Sequence, residues 1–133
     1  MIIRILLVDD QPQVRQGLRM SLGVEIDFEI LGEASNGRDA IALAQALQPD
    51  VVVMDITMPG MDGLRATGEL ASSCPCCAVV ILSLRDDAAT QAQAYTAGAA
   101  AFVSKRESPD ALVRAIRGAC GQGNRPCDRS ACG

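Results

Sequence analysis

Hydrophobic residues along this chain fall into two alternating patterns. Short runs rich in Val, Ile and Leu occupy 2–8, 29–33, 51–54, 78–82 and 100–103. Most lack apolar/polar alternation, the mark of strands covered on both faces, as in a parallel sheet between helices. Longer stretches with helical spacing lie between them. Pro12 fits a first helical position after Gln11, and Val14, Leu18 and Leu22 then share a face. Asn36 is placed to cap a second helix with Ile41, Ala44 and Leu47 inward, and Pro49 ends it. A weaker third helix is expected across 64–70, where Gly68 interrupts the pattern. Asp86-Asp87 opens a fourth that stops before Gly98. Ser108-Pro109-Asp110 offers a cap, a first-turn proline and an acid that suits the helix dipole. It starts a fifth helix with Leu112, Ala115, Ile116 and Ala119 inward.

Strict βα alternation predicts an α/β doubly wound fold built on a five-stranded parallel sheet. Residues 1–120 read as one domain. Residues 121–133, rich in Gly, Arg and Cys and without periodicity, read as a flexible tail or the start of a linker.

Composition narrows the function. Aromatics make up 2% of the chain and hydrophobic residues 49%, so the core must be built from Ala, Val, Ile and Leu. A net charge of -4 without a basic run argues against nucleic-acid binding by this domain. No apolar stretch approaches a membrane span. The start lacks a secretory pattern, which leads to an expectation of the cytoplasm and of reduced thiols. The six cysteines do not read as a disulfide framework: Cys74, Cys76 and Cys77 crowd one loop, and Cys120, Cys127 and Cys132 lie near the end.

Sites in parallel α/β sheets gather at the carboxyl ends of the strands. Asp9-Asp10 follows the first strand, Asp55 the third, Ser83 the fourth, and Lys105, after Ser104, the fifth. Each has an ordinary role on its own: a turn, a helix cap, a strand end, a solvated lysine. Together they predict three carboxylates, a hydroxyl and an ammonium on one edge. Two unit charges ~4 Å apart repel by about 4 kcal/mol at an effective dielectric near 20. Either a carboxylate is protonated or a cation sits among them. An all-oxygen donor set favours a hard cation, with Mg²⁺ as the first choice. Mg²⁺ accepts few carboxylates and keeps room for a phosphate oxygen, which Lys105 would neutralise and Ser83 would hydrogen-bond. Lys105 is the only lysine among twelve basic residues, consistent with a need for a compact point charge.

At this point the chain resembles the receiver domain of two-component response regulators. The motifs that carry the resemblance are Ile5-Leu6-Leu7-Val8-Asp9-Asp10, Asp55-Ile56-Thr57-Met58-Pro59-Gly60-Met61-Asp62-Gly63, Ile81-Leu82-Ser83 and Phe102-Val103-Ser104-Lys105. The stretch from Gln11-Pro12 through Leu18 is similar to regulators with a LuxR-type helix-turn-helix output domain. The resemblance covers the chain from Met1 to about Ala119. It implies strand order 2-1-3-4-5, as in the chemotaxis regulator that is a standard example of this fold. It further implies that Asp55 is the phosphoacceptor. Asp10, Asp55 and the Thr57 backbone carbonyl would ligate Mg²⁺, with Asp9 acting through a metal-bound water. Ser83 and Lys105 would contact the phosphoryl oxygens, Ser83 moving inward and Phe102 following as the switch. Pro59 and Gly63 match the loop that shapes the site. Thr57 and Arg85 are expected to set the phosphate lifetime, because these positions face the attacking water in the family. Leu84, where a small residue is usual, is expected to narrow access to Asp55. Arg106 stands where many members have proline, so a cis bond after Lys105 is not expected, given its cost of ~2.5–4 kcal/mol.

The implied activity is self-catalysed phosphorylation and dephosphorylation of an acceptor domain, not turnover as an enzyme. The implied donor is a phosphohistidine on a sensor histidine kinase, and this chain has no histidine of its own. A homodimer on phosphorylation, and control of transcription through an output domain beyond this chain, follow from the same resemblance. Three other readings are weaker. An aspartyl-phosphate phosphatase wants an acid two residues after its nucleophile, where this chain has Thr57. For a metal or redox module, the cysteines of the loop read more simply as incidental thiols, and those of the tail lack paired zinc-finger spacing. A phosphate-independent interaction domain is the remaining alternative; the full acidic set argues against it and Leu84 argues for it.

Overall fold

A computed structural model of the chain describes residues 1–58 and 60–121. The strands are β1 (Ile3–Val8), β2 (Phe28–Ala34), β3 (Val51–Met54), β4 (Ala78–Ser83) and β5 (Ala101–Ser104). They alternate with α1 (Pro12–Gly23), α2 (Gly37–Leu47), α3 (Gly63–Ser73), α4 (Ala88–Ala97) and α5 (Pro109–Gly121). All pairings are parallel, in the order β2-β1-β3-β4-β5. This is the doubly wound fold the alternation predicts, and every strand lies within a residue of its predicted bounds.

Adjacent residues of each central strand point to opposite faces, and each face buries its own cluster. Leu6, Val8, Val52, Met54, Val79 and Ile81 pack with Ala40 and Ala44 of α2, Ala66 and Leu70 of α3 and Ala94 of α4. Ile5, Leu7, Val51, Val53, Val80 and Leu82 pack with Leu22 of α1 and Leu112, Ile116 and Ala119 of α5. Apolar runs without alternation are what a sheet covered on both sides requires. Small alanines on the helices meet branched residues on the strands, so a chain poor in aromatics still fills its core.

Two predicted helix starts and one predicted stop are built as expected. The Asn36 side chain accepts from the Asp39 amide, and Asp87 accepts from the Thr90 amide to cap α4. Gly98 ends α4 at φ +116°, a conformation glycine adopts without strain. Two expectations need correction. Gly68 does not interrupt α3, which runs unbroken for 11 residues. The ~1 kcal/mol helix cost of glycine is outweighed because the flanking Ala66, Thr67 and Leu70 are buried. Nor are the loop cysteines simply reduced thiols. A turn from the Cys77 amide to the Cys74 carbonyl brings their Cα atoms to 5.7 Å, and the two sulfurs are joined. Pro59 lies outside the described residues, as does the expected tail from residue 122 onward.

Candidate functional site

Four strand ends deliver the predicted side chains to one place. Asp9 leaves β1 and is buried, whereas Asp10 beside it faces solvent. Asp55 leaves β3 next to them and is 8% exposed. Carboxylate oxygens of Asp9, Asp10 and Asp55 all lie within 4.8 Å of one another. Lys105 reaches in from beyond β5, its Nζ 2.9 Å from Asp9 Oδ2 and 3.4 Å from Asp55 Oδ2. Ser83 closes β4 and is buried. A cavity of about 250 Å³ is lined by Asp10, Gln11, Asp55, Thr57, Ser83, Leu84, Arg85 and Lys105.

Local backbone bonds fix these groups. The Asp9 carboxylate accepts from the Gln11 amide at 2.9 Å, which directs it across the mouth of β1. The Thr57 amide donates to Asp55 Oδ1 at 3.4 Å, and the Arg85 amide to Ser83 Oγ at 3.0 Å. Accepting that bond leaves the Ser83 hydrogen available to another acceptor. Gly63 shapes the site as predicted, and the reason is steric. A Cβ at Gly63 would lie 2.1 Å from the Asp55 carbonyl oxygen and 2.7 Å from Ile56 Cα. The Gly63 amide also donates to the Ile56 carbonyl at 2.8 Å, closing the loop after β3.

The electrostatics are unbalanced. Burial raises the Asp55 pKa above its ordinary value; Lys105 opposes the rise and Asp9 adds to it. Burial pulls Lys105 down, but its contacts with Asp9 and Asp55 outweigh that, and its pKa ends above the ordinary value. The ammonium thus stays charged and sits closer to Asp9 than to Asp55. Lys105 pairs with two of the three clustered carboxylates, and the donor set is all oxygen. These residues fit a hard divalent ion, which would relieve the excess negative charge that Lys105 leaves.

Other predicted residues fall nearby. Thr57 and Arg85 line the cavity with Asp55. Leu84 also lines it, yet is 56% exposed, so its side chain stands at the rim. Phe102 is half-buried on the edge strand β5 and packs against the α2–α4 face. The Lys105–Arg106 bond is trans, as no cis peptide occurs among the described residues. Sequence reasoning missed Asp86, read only as part of a helix start. Its carboxylate takes the Ser104 hydroxyl and the Arg106 guanidinium, which together hold it below the usual carboxylate range. No spacing rule links residues 86, 104 and 106; two parallel strand ends bring them together.

The sequence profile of the response regulator receiver domain matches residues 5–117. The chain belongs to this family. The receiver is 40% identical over 115 residues to the response regulator UvrY of Escherichia coli O157:H7, covering 86% of this chain and 53% of that protein. It is 39% identical over 117 residues to the uncharacterized transcriptional regulatory protein YxjL of Bacillus subtilis, covering 88% of this chain and 54% of that protein. Among solved structures it is similar to the receiver domain of the response regulator NarL from Mycobacterium tuberculosis. There the TM-score is 0.87 and the identity 31%, over 91% of this chain and 98% of that one. A LuxR-family DNA-binding response regulator from Staphylococcus aureus matches at TM-score 0.84 and 30% identity, over 90% of this chain and 99% of that one. The receiver is therefore of the LuxR/NarL type. It spans about half the length of the curated relatives it matches. No helix among its described residues is long and apolar enough to cross a membrane.

Proposed function

We propose that Asp55 of this receiver accepts a phosphoryl group from a phosphohistidine on a sensor histidine kinase. The observation that carries the reading is the Lys105 ammonium bridging Asp9 and Asp55 at the edge of a cavity that Ser83 also lines. An Asp55 oxygen attacks phosphorus in line while the bond to the kinase imidazole breaks. Lys105 offsets charge on the transferring oxygens, and the Ser83 hydroxyl donates to one of them. Asp10, Asp55 and the Thr57 carbonyl would hold Mg²⁺, with Asp9 acting through a metal-bound water. Mg²⁺ bound there would supply further neutralisation of the phosphoryl oxygens. Thr57 and Arg85, lining the same cavity, set access for hydrolytic water. Ser83 then moves toward the phosphoryl group, and Phe102 follows. The chain acts as an acceptor domain in the cytoplasm. Dimerisation on phosphorylation and control of transcription through an output domain are the downstream events, by analogy with its regulator relatives. Residues 1–120 form the functional unit.

The test is intact-protein mass after incubation with acetyl phosphate and Mg²⁺. One added phosphoryl group is expected on the parent, with none on Asp55→Asn and none without metal. No adduct on a folded parent would sink the reading.

A further inference from the structure

Arg106 lies beside the acid–lysine cluster but takes no part in it. Its Nη1 donates to the Leu84 carbonyl at 2.9 Å and to Asp86 Oδ2 at 2.8 Å. The same carboxylate oxygen accepts the Ser104 hydroxyl at 2.6 Å, and the Arg106 amide donates to Ser104 Oγ at 3.1 Å. The Asp86 carbonyl accepts from Gln91 Nε2 of α4 at 2.8 Å. These bonds close a ring that ties the β4–α4 loop to the end of β5 and to the first turns of α4.

The ring is attached one residue from Ser83 on one side and one residue from Lys105 on the other. Because Ser83 Oγ also accepts from the Arg85 amide, its position follows the loop backbone. A loop held at Leu84 cannot carry Ser83 toward Asp55 without stretching the Arg106 bonds. Proline at residue 106 would offer neither the guanidinium nor the amide.

We propose that Arg106 is a positioning residue that holds the β4–α4 loop, and Ser83 with it, back from the phosphoryl position, with Asp86 as its anchor. The proposal rests on the phosphoacceptor reading of Asp55. It makes the resting state depend on a charged latch that phosphorylation must open or drag along. The effect is modest, because Arg106 is 65% exposed and exposed ion pairs are weak.

The test is calorimetric titration of beryllofluoride, with Mg²⁺ present, into the parent, Arg106→Ala, Asp86→Asn and the double variant. Each single variant is expected to bind about threefold more tightly, the scale of an exposed charged contact. The double variant is expected to gain no more than the better single, because both remove the same latch. Arg106→Lys, whose single ammonium nitrogen can donate to both acceptors as Nη1 does, is expected to stay closer to the parent than Arg106→Ala. Unchanged or weaker binding by Arg106→Ala, or additive gains in the double variant, would overturn the latch and leave the role of Asp55 standing. A parent that binds no beryllofluoride would overturn the phosphoacceptor reading, and the latch with it.

Discussion

The two ends of the sheet each bury an aspartate just outside β3, and they treat it in opposite ways. Asp50 precedes β3 and is 3% exposed. Its Oδ2 accepts from the Arg4 amide at 2.9 Å, its own amide donates to the Arg4 carbonyl, and its carbonyl accepts from the Ala78 amide. The Arg4 guanidinium beside it reaches the carbonyls of Leu47 and Gln48 at the end of α2. That residue stitches three strands together. Asp55, at the other end of the same strand, faces a cavity, shares one lysine with Asp9, and has its pKa raised by burial. One acid serves the fold and the other is held in readiness at the fold's expense.

The largest expected effect is at the loop that seats Asp55. Gly63→Ala forces a methyl group into the Asp55 and Ile56 backbone, and should cost about 3 kcal/mol or more by urea unfolding. Beryllofluoride binding should be lost with it. Next, Asp50→Ala deprives the Arg4 amide of its acceptor and should destabilise by about 2–3 kcal/mol. Asp55→Asn should do the reverse. In metal-free buffer at neutral pH it should stabilise by about 1 kcal/mol, the scale of a substitution that relieves a functional site, while abolishing phosphorylation. Destabilisation by both aspartate variants would erase the contrast between the two ends.

The pH dependence sharpens the same point. Because the folded Asp55 pKa lies above its ordinary value of 3.8, the native state binds the proton more tightly than the unfolded chain. Its penalty is present at neutral pH and is relieved as pH falls through the raised value. The advantage of Asp55→Asn should therefore shrink as pH falls from neutral toward 3.8 in chemical denaturation. Mg²⁺ should shrink it too, by stabilising the parent alone. The smallest effect concerns rates only. Replacing Thr57 and Arg85 together with Ala should speed phosphate loss from Asp55 severalfold, read by the decay of the phosphorylated mass.

Much of this is legible in the amino-acid sequence. Asp9, Asp10, Asp55, Ser83 and Lys105 each follow an apolar run, and a parallel sheet must bring such positions to one edge. Asn36, Asp87 and Gly98 also announce themselves, because caps act within a few residues of sequence. The failures share the opposite cause. Gly68 reads as a break because its intrinsic cost is local, whereas the packing that overrides it is not. The joined Cys74 and Cys77 depend on the turn geometry after α3, and the bonds at Asp86 depend on how far two strands extend past the sheet. The preference of Lys105 for Asp9 over Asp55 is likewise a matter of side-chain reach.

The parity of the strands has a consequence for how such a domain can be varied. Leu6, Val52 and Ile81 belong to one interior and Ile5, Val51 and Val80 to the other, with the sheet as a wall between them. A library that randomises only the residues beneath α1 and α5 leaves the packing under α2, α3 and α4 untouched. The reverse library is just as separable. The domain is in this sense a two-storey building with a shared floor, and either storey can be refitted while the acids at the edge of the floor stay where they are.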